Sequence, residues 1–300
     1  MDERDFAEAA SPVFRAVAPS FFSAFGNWLR PGQQRKNLEA DRSVVEGLLK
    51  AGQTNFRFSG IEMNIEFFND AHREEVERQV SNVLNAMLKA DSIVDWSKVD
   101  LARFNPEFRH RWTSEASNVS DETLQNLWAQ LLKGELESPG SLSNDTMSVA
   151  RDLNKERAEE FQVLCSAALC SLDGTPSIVV GCGNPRANSL RPFGLSYDVL
   201  MRLAHHRLIV NDMTSYITVG EGSGELVVLT KQQESTWLLR WSNGSKRSDE
   251  DHRIKGILFT PAGAELFAVV EKIPNPEYTA AMLKSLKQDG WVAVPVTNAP

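Results

Sequence analysis

The sequence has little of what metal or redox chemistry needs. Among its 300 residues there are three cysteines, Cys165, Cys170 and Cys182, and five histidines. No Cys-x-x-Cys occurs, so a zinc site is not expected. An odd number of thiols without a secretory leader speaks against a disulfide framework and fits a reducing cytoplasm. Cys165 falls on the apolar face of a predicted helix, where a thiol acts as an inert small hydrophobe. No apolar run reaches the ~20 residues of a membrane span, since the nearest, Val13 to Leu29, is broken by Arg15 and Pro19. Positive charge is not in excess either: 32 Lys+Arg against 40 Asp+Glu leave a formal net charge of -8. Nothing in that balance draws the chain as a whole toward nucleic acid or anionic lipid, so such binding would need a local patch. There is no repeat of fixed period and no long low-complexity tract.

What is present is enough apolar residue, 42% of the chain, to fill two cores. The expected architecture is α+β overall, with an all-α first domain over residues 1–172. Leu38, Val45, Leu48 and Leu49 mark one amphipathic helix. Val76, Val80, Val83, Leu84, Met87 and Leu88 mark a second, whose Glu and Arg residues cover the solvent face. Between them, residues 55–70 read as helix or irregular chain. Residues 91–106 read as a loop or broken helix, with Trp96 filling a gap between helices. Ser120 is placed to cap a third helix, with Asp121 and Glu122 in its first turn and Leu124, Leu127, Trp128, Leu131 and Leu132 on its buried face. That helix must stop near Leu136, because Pro139-Gly140 cannot continue it. Ser143 and Asn154 then cap two more, the latter predicted to run as far as Cys170.

Residues 173–194, rich in glycine and proline, form the expected linker. Residues 195–300 form the expected second domain. A short helix with Leu200 and Leu203 inward leads to β-rich segments around "SYITVG", "GELVVLTKQ", "TWLLRWSNG" and "KGILFTP". Two helices and a final strand, "WVAVPV", follow. The order of these elements is winged-helix-like.

Catalytic signals are weak. Gly181-Cys-Gly183 follows an apolar run, but the third glycine of a dinucleotide loop and the Gly-Lys-Ser/Thr of a P-loop are missing, so a turn is the simpler reading. Cys182 with His205 or His206 would be a nucleophile and base only if the fold brought them together. Glu135 and Glu137 flank Leu136 and so point apart. Glu135 is expected to serve a backbone amide or an arginine in the following turn. No catalytic residue, metal ligand or cofactor is assigned.

Two surfaces are candidates for binding. Phe21, Phe22, Phe25 and Trp28 can share one helix face and form a partner-binding or self-association stripe, or less readily a membrane-surface contact. Arg202, His206 and Arg207, with Lys246 and Arg247, form a candidate nucleic-acid contact. The same cations near a helix C-terminus also complement its dipole.

Several of these residues resemble a bacterial family known only as domain of unknown function 2806. They are Trp128, Ala129, Leu132, Gly134 and Glu135, then Pro139, Gly140, Ser141 and Ser143, then Leu153, Asn154, Ala158 and Phe161. "LAHHRLIV" and "FTPAGAELF" resemble its C-terminal region, although His206-Arg207 stands where glycine is more typical. The resemblance implies no activity, and a role in anti-phage defence follows from it only by analogy. The expected function is a non-enzymatic interaction or sensing module. Nucleic-acid binding is the alternative, and an unrecognised enzyme is a third reading.

Overall fold

A computed structural model describes residues 55–58, 61–64, 70–100, 102–171, 174–218, 236–241 and 253–296. The chain divides into two compact units, Met1–Leu142 and Ser143–Pro300. It is α+β overall.

In the first unit, β1 (Asn55–Phe58) and β2 (Ile61–Asn64) form an antiparallel pair. Over these two segments this corrects the expectation of an all-α first domain with helix or irregular chain. "NFRF" and "IEMN" alternate with period two. The register runs from Asn55 opposite Asn64 to Phe58 opposite Ile61. Helix α1 (Asp70–Ile93) follows and buries the expected stripe, from Val76 through Met87 to Ala90. Leu88 is half-buried at its edge.

Helix α2 (Pro106–Ala116) starts from Asn105, whose side chain accepts from the Glu107 amide, with Pro106 in the first turn. Helix α3 (Glu122–Glu137) packs on α1 through Leu127, Trp128, Leu131, Leu132 and Leu136. Its cap is Asp121 rather than Ser120: the carboxylate accepts from the amides of Thr123 and Leu124. Ser120 Oγ accepts instead from Asn82 Nδ2 at 3.1 Å. The charged cap also complements the helix dipole, which the hydroxyl cannot do. Trp112 and Trp128 are both fully buried, and the indole of Trp112 donates to the Trp128 carbonyl at 2.8 Å.

The second unit opens with α4 (Asn144–Arg151) and α5 (Lys155–Ser166), capped by Ser143 and Asn154 as expected. Helix α5 ends before Ala168–Cys170, which is strand β3 and not a further helical turn. β3 pairs with β4 (Pro176–Val180), a strand that lies where a linker was expected. The reason is burial. Ile178, Val179 and Val180 are at most 2% exposed, so this short apolar run bounded by Pro and Gly is an interior strand.

Helix α6 (Tyr197–His205), β5 (Ser215–Thr218), β6 (Thr236–Trp241), β7 (Arg253–Ile257), α7 (Pro261–Val269), α8 (Pro276–Gln288) and β8 (Trp291–Val296) complete the unit. One antiparallel sheet has the order β3-β4-β7-β5, and β6 pairs with β8 in a second. Gly256 allows β7 to approach β4, because a Cβ there would stand 2.0 Å from the Val179 carbonyl oxygen.

Candidate functional site

The C-terminal end of α6 carries three of the five residues predicted to contact nucleic acid. Ser196 caps the helix, and Leu200 and Leu203 bury its inner face. The Arg207 amide then donates to the Ala204 carbonyl and the Leu208 amide to the Leu203 carbonyl. This pair of bonds requires a left-handed residue between cap and strand. That residue is Arg207, at φ 59. Glycine would occupy this conformation without the Cβ penalty, so an arginine here has a structural cost. Thr260 Oγ1 donates to the Arg207 carbonyl and accepts from the Gly263 amide, tying the turn to the start of α7.

The charges at this helix end differ in availability. Arg202 is ion-paired with Glu160, which also holds Arg157. Its hydrogen bond to the Glu160 carboxylate keeps the Arg202 guanidinium above its ordinary pKa. Burial, then the charges of His205 and Arg157, push the His206 imidazole below its usual value. Arg207 is exposed and makes no ion pair among the described residues. Lys246 and Arg247 lie outside the described residues, as do Phe21, Phe22, Phe25 and Trp28.

The residues weighed for catalysis are occupied otherwise. Glu135, 1% exposed, accepts from the Gly140 amide at 2.9 Å. It therefore serves the Pro139-Gly140 turn, as its sequence position implied. Burial raises its pKa, and the amides of Gly140, Leu142 and Ser141 oppose that rise. Glu137 accepts from the Asp95 amide at 2.7 Å, so the two carboxylates do separate structural work. In the second unit, Cys182 is half-buried at φ 49, and burial pushes its thiol up to about 11. A thiol held protonated is a poor nucleophile. The Gly181-Cys-Gly183 segment is a turn: Ser189 Oγ donates to the Gly181 carbonyl at 2.5 Å, and Asn184 caps a short 3-10 turn.

A concave feature lies elsewhere in the second unit. It is a cavity of about 570 Å³ between the end of α5, β3, Trp237 on β6, Phe267 on α7, the segment Lys272–Pro276 and the outer face of α8. Its shape follows from the connection between α7 and α8. Pro274 fixes φ within that connection and Pro276 opens α8, while the Ile273 amide donates to Ser166 Oγ at 2.8 Å and pins it to α5. Ile273 itself is 57% exposed. The Lys272 ammonium lies 4.2 Å from the Phe267 ring centroid and donates to the Phe267 carbonyl. Trp237 is half-buried, and its Nε1 is shielded from water with no hydrogen-bond partner among the described residues. Burial raises the Cys165 thiol well above its ordinary pKa. These groups can bind a ligand. They do not set a nucleophile against a base.

Apart from Cys165, read as an inert thiol, sequence reasoning did not single out these cavity residues. The usable signal was "KIPNP", two prolines bracketing an asparagine between two helices. Among the described residues no group of three or more His, Cys, Asp or Glu side chains is placed to hold a metal ion, and no helix is long and apolar enough to cross a membrane.

Comparison with protein families gives a match over residues 69–283 to the model described as Protein of unknown function (DUF2806). The chain belongs to this family. The match takes in the cavity lining and the α6 turn of this DUF2806 protein. No curated protein and no solved structure matches it.

Proposed function

We propose that this DUF2806 protein is a non-enzymatic sensing module of a cytoplasmic bacterial system, which holds a small molecule in the second-unit cavity and signals its presence to a protein partner. One observation carries the reading. The cavity, about 570 Å³, falls within the roughly 300–1,000 Å³ of small-molecule sites and shares their apolar lining with few polar groups. The aromatic residues Phe21, Phe22, Phe25 and Trp28 are the proposed partner-binding stripe, supported by their spacing. An anti-phage setting is part of the proposal by analogy alone. The test is native mass spectrometry of the full chain purified gently from its host. The wild type is expected to carry added mass, and Ala280→Trp to lose it, because Ala280 is exposed on the lining and an indole there blocks the mouth without entering the core. A wild type that carries no added mass, and whose melting temperature no member of a metabolite library raises, would overturn the reading.

A second reading, nucleic-acid binding by a winged-helix-like second domain, is favoured by one face of the β5–β7 pair. Tyr216 is 44% exposed, with the Arg253 guanidinium 4.1 Å from its ring centroid and the exposed Lys255 directly opposite on β7. An exposed aromatic flanked by cations suits base stacking and phosphate contact. Arg202, His206, Arg207, Lys246 and Arg247 are its further proposed contacts. It predicts salt-sensitive binding weakened by Arg207→Ala and Lys255→Ala, and less by Arg202→Ala, whose charge Glu160 already compensates. No binding at low salt removes it.

A further inference from the structure

We infer that the exposed face of the β5–β7 pair is a stacking site for single-stranded nucleic acid, with one base on the Tyr216 ring and the adjoining phosphate at Lys255. The inference rests on the second reading, nucleic-acid binding, and names the form of the nucleic acid.

Register dictates this face. In β5, "SYIT", side chains alternate, so Tyr216 and Thr218 share one side and Ile217 takes the other. In β7, "RIKGI", Arg253 and Lys255 share a side, and Ile254, 1% exposed, turns inward. Pairing sets Lys255 directly opposite Tyr216 and Arg253 opposite Thr218, which makes Arg253 the diagonal neighbour of the tyrosine. Its guanidinium, 4.1 Å from the ring centroid, steadies the ring as a cation-π partner. The tyrosine nonetheless keeps 44% of its surface in water.

The chemistry of the face selects a single strand over a duplex. A ring binds a base through the base's flat side. In a duplex those sides are covered by the neighbouring base pairs, and only edges and phosphates are on offer. In a single strand each base has a side to give, whatever its identity. Charge agrees with this assignment. Neither strand contains Asp or Glu, and Lys255 is exposed with no ion pair among the described residues. Lys255 therefore supplies the phosphate contact, and Arg253 acts on the ring. Because the chain as a whole carries a formal net charge of -8, long-range attraction is weak and the face itself must make the contact.

The experiment is fluorescence anisotropy of the full chain at low salt with labelled probes of equal length: oligothymidylate, oligouridylate, a blunt DNA duplex, and an abasic DNA strand that keeps the phosphates without the bases. Oligothymidylate and oligouridylate are expected to bind at least about tenfold more tightly than the duplex or the abasic strand, the difference a stacked base makes. Their ratio tells whether DNA or RNA is the preferred source. Tyr216→Ala should bring oligothymidylate to the level of the abasic strand and leave the abasic strand unchanged, while Tyr216→Trp retains the preference. Lys255→Ala should weaken oligothymidylate and the abasic strand alike and reduce the salt slope by about 0.7. Because Tyr216 and Lys255 are exposed, these variants are expected to melt as the wild type does. Equal binding of oligothymidylate and the abasic strand, a preference that survives Tyr216→Ala, or a duplex bound more tightly than either single strand would overturn the single-strand site. If the duplex is the probe bound best and Lys255→Ala weakens it, the single-strand site falls and the nucleic-acid reading stands. If no probe binds at low salt, both fall.

Discussion

Replacing Arg207 by glycine should stabilise the protein, which is unusual for removing a charged side chain. Arg207 sits at φ 59, where an L-residue brings its Cβ against the following carbonyl at a cost of about 1 kcal/mol. Glycine avoids that cost but loses more backbone freedom on folding, which returns roughly 0.5 kcal/mol. Nothing else in the exchange is large. The Arg207 side chain is exposed and makes no ion pair among the described residues, and the bonds of the turn, including the one from Thr260 Oγ1, run to backbone atoms that glycine keeps. The net expectation is a gain of about 0.5 kcal/mol for Arg207→Gly. Arg207→Val should lose about 1–2 kcal/mol, since a β-branched residue is still less tolerant of positive φ. Hydrogen exchange at the Arg207 and Leu208 amides, followed with urea denaturation of the full chain, reports the turn itself. The predicted order of stability is Gly, then Arg, then Val. A glycine variant less stable than the wild type would show that the guanidinium, and not the backbone, holds the turn.

Glu135→Gln should show a pH-dependent effect. Burial raises the folded-state pKa of Glu135, so ionising it destabilises the fold at neutral pH, and the protonated form's advantage is lost as pH rises through that pKa. The variant should be relatively more stable than wild type near pH 7, and the difference should shrink as pH falls toward the unfolded value of about 4.3; a difference that grows on acidification would reverse the sign of the argument. Gly256→Ala should cost about 3 kcal/mol or prevent folding, because the added carbon stands 2.0 Å from the Val179 carbonyl oxygen and must part β7 from β4; a melting temperature equal to wild type would show that the strands separate freely. Trp112→Phe should destabilise by about 1–3 kcal/mol through the lost bond to the Trp128 carbonyl and the void beside it, read as a lower urea midpoint.

What could be read from the sequence depended on whether the signal was local. The Ser143 and Asn154 caps, the stop at Pro139-Gly140 and the inward Leu200 and Leu203 are each decided within a few residues, and each stands in the structure as expected. Glu135 was legible for the same reason, since its partner is the turn five residues on. The errors came where an apolar run has no period of its own. "SIVV" reads as linker when glycine and proline are weighed. It becomes an interior strand only because β3 and β7 lie on either side of it, and β7 comes from far along the chain. The cavity was illegible on the same principle. Ser166, Trp237, Lys272 and Leu283 are assembled from α5, β6, the α7–α8 connection and α8, and no spacing in the sequence joins them. Arg207 sits between these cases. The sequence placed His206-Arg207 where glycine would be more typical of the resemblance, but only the backbone angle shows that it is Arg207 that sits in the left-handed region, and so makes the cost a measurable property of the turn.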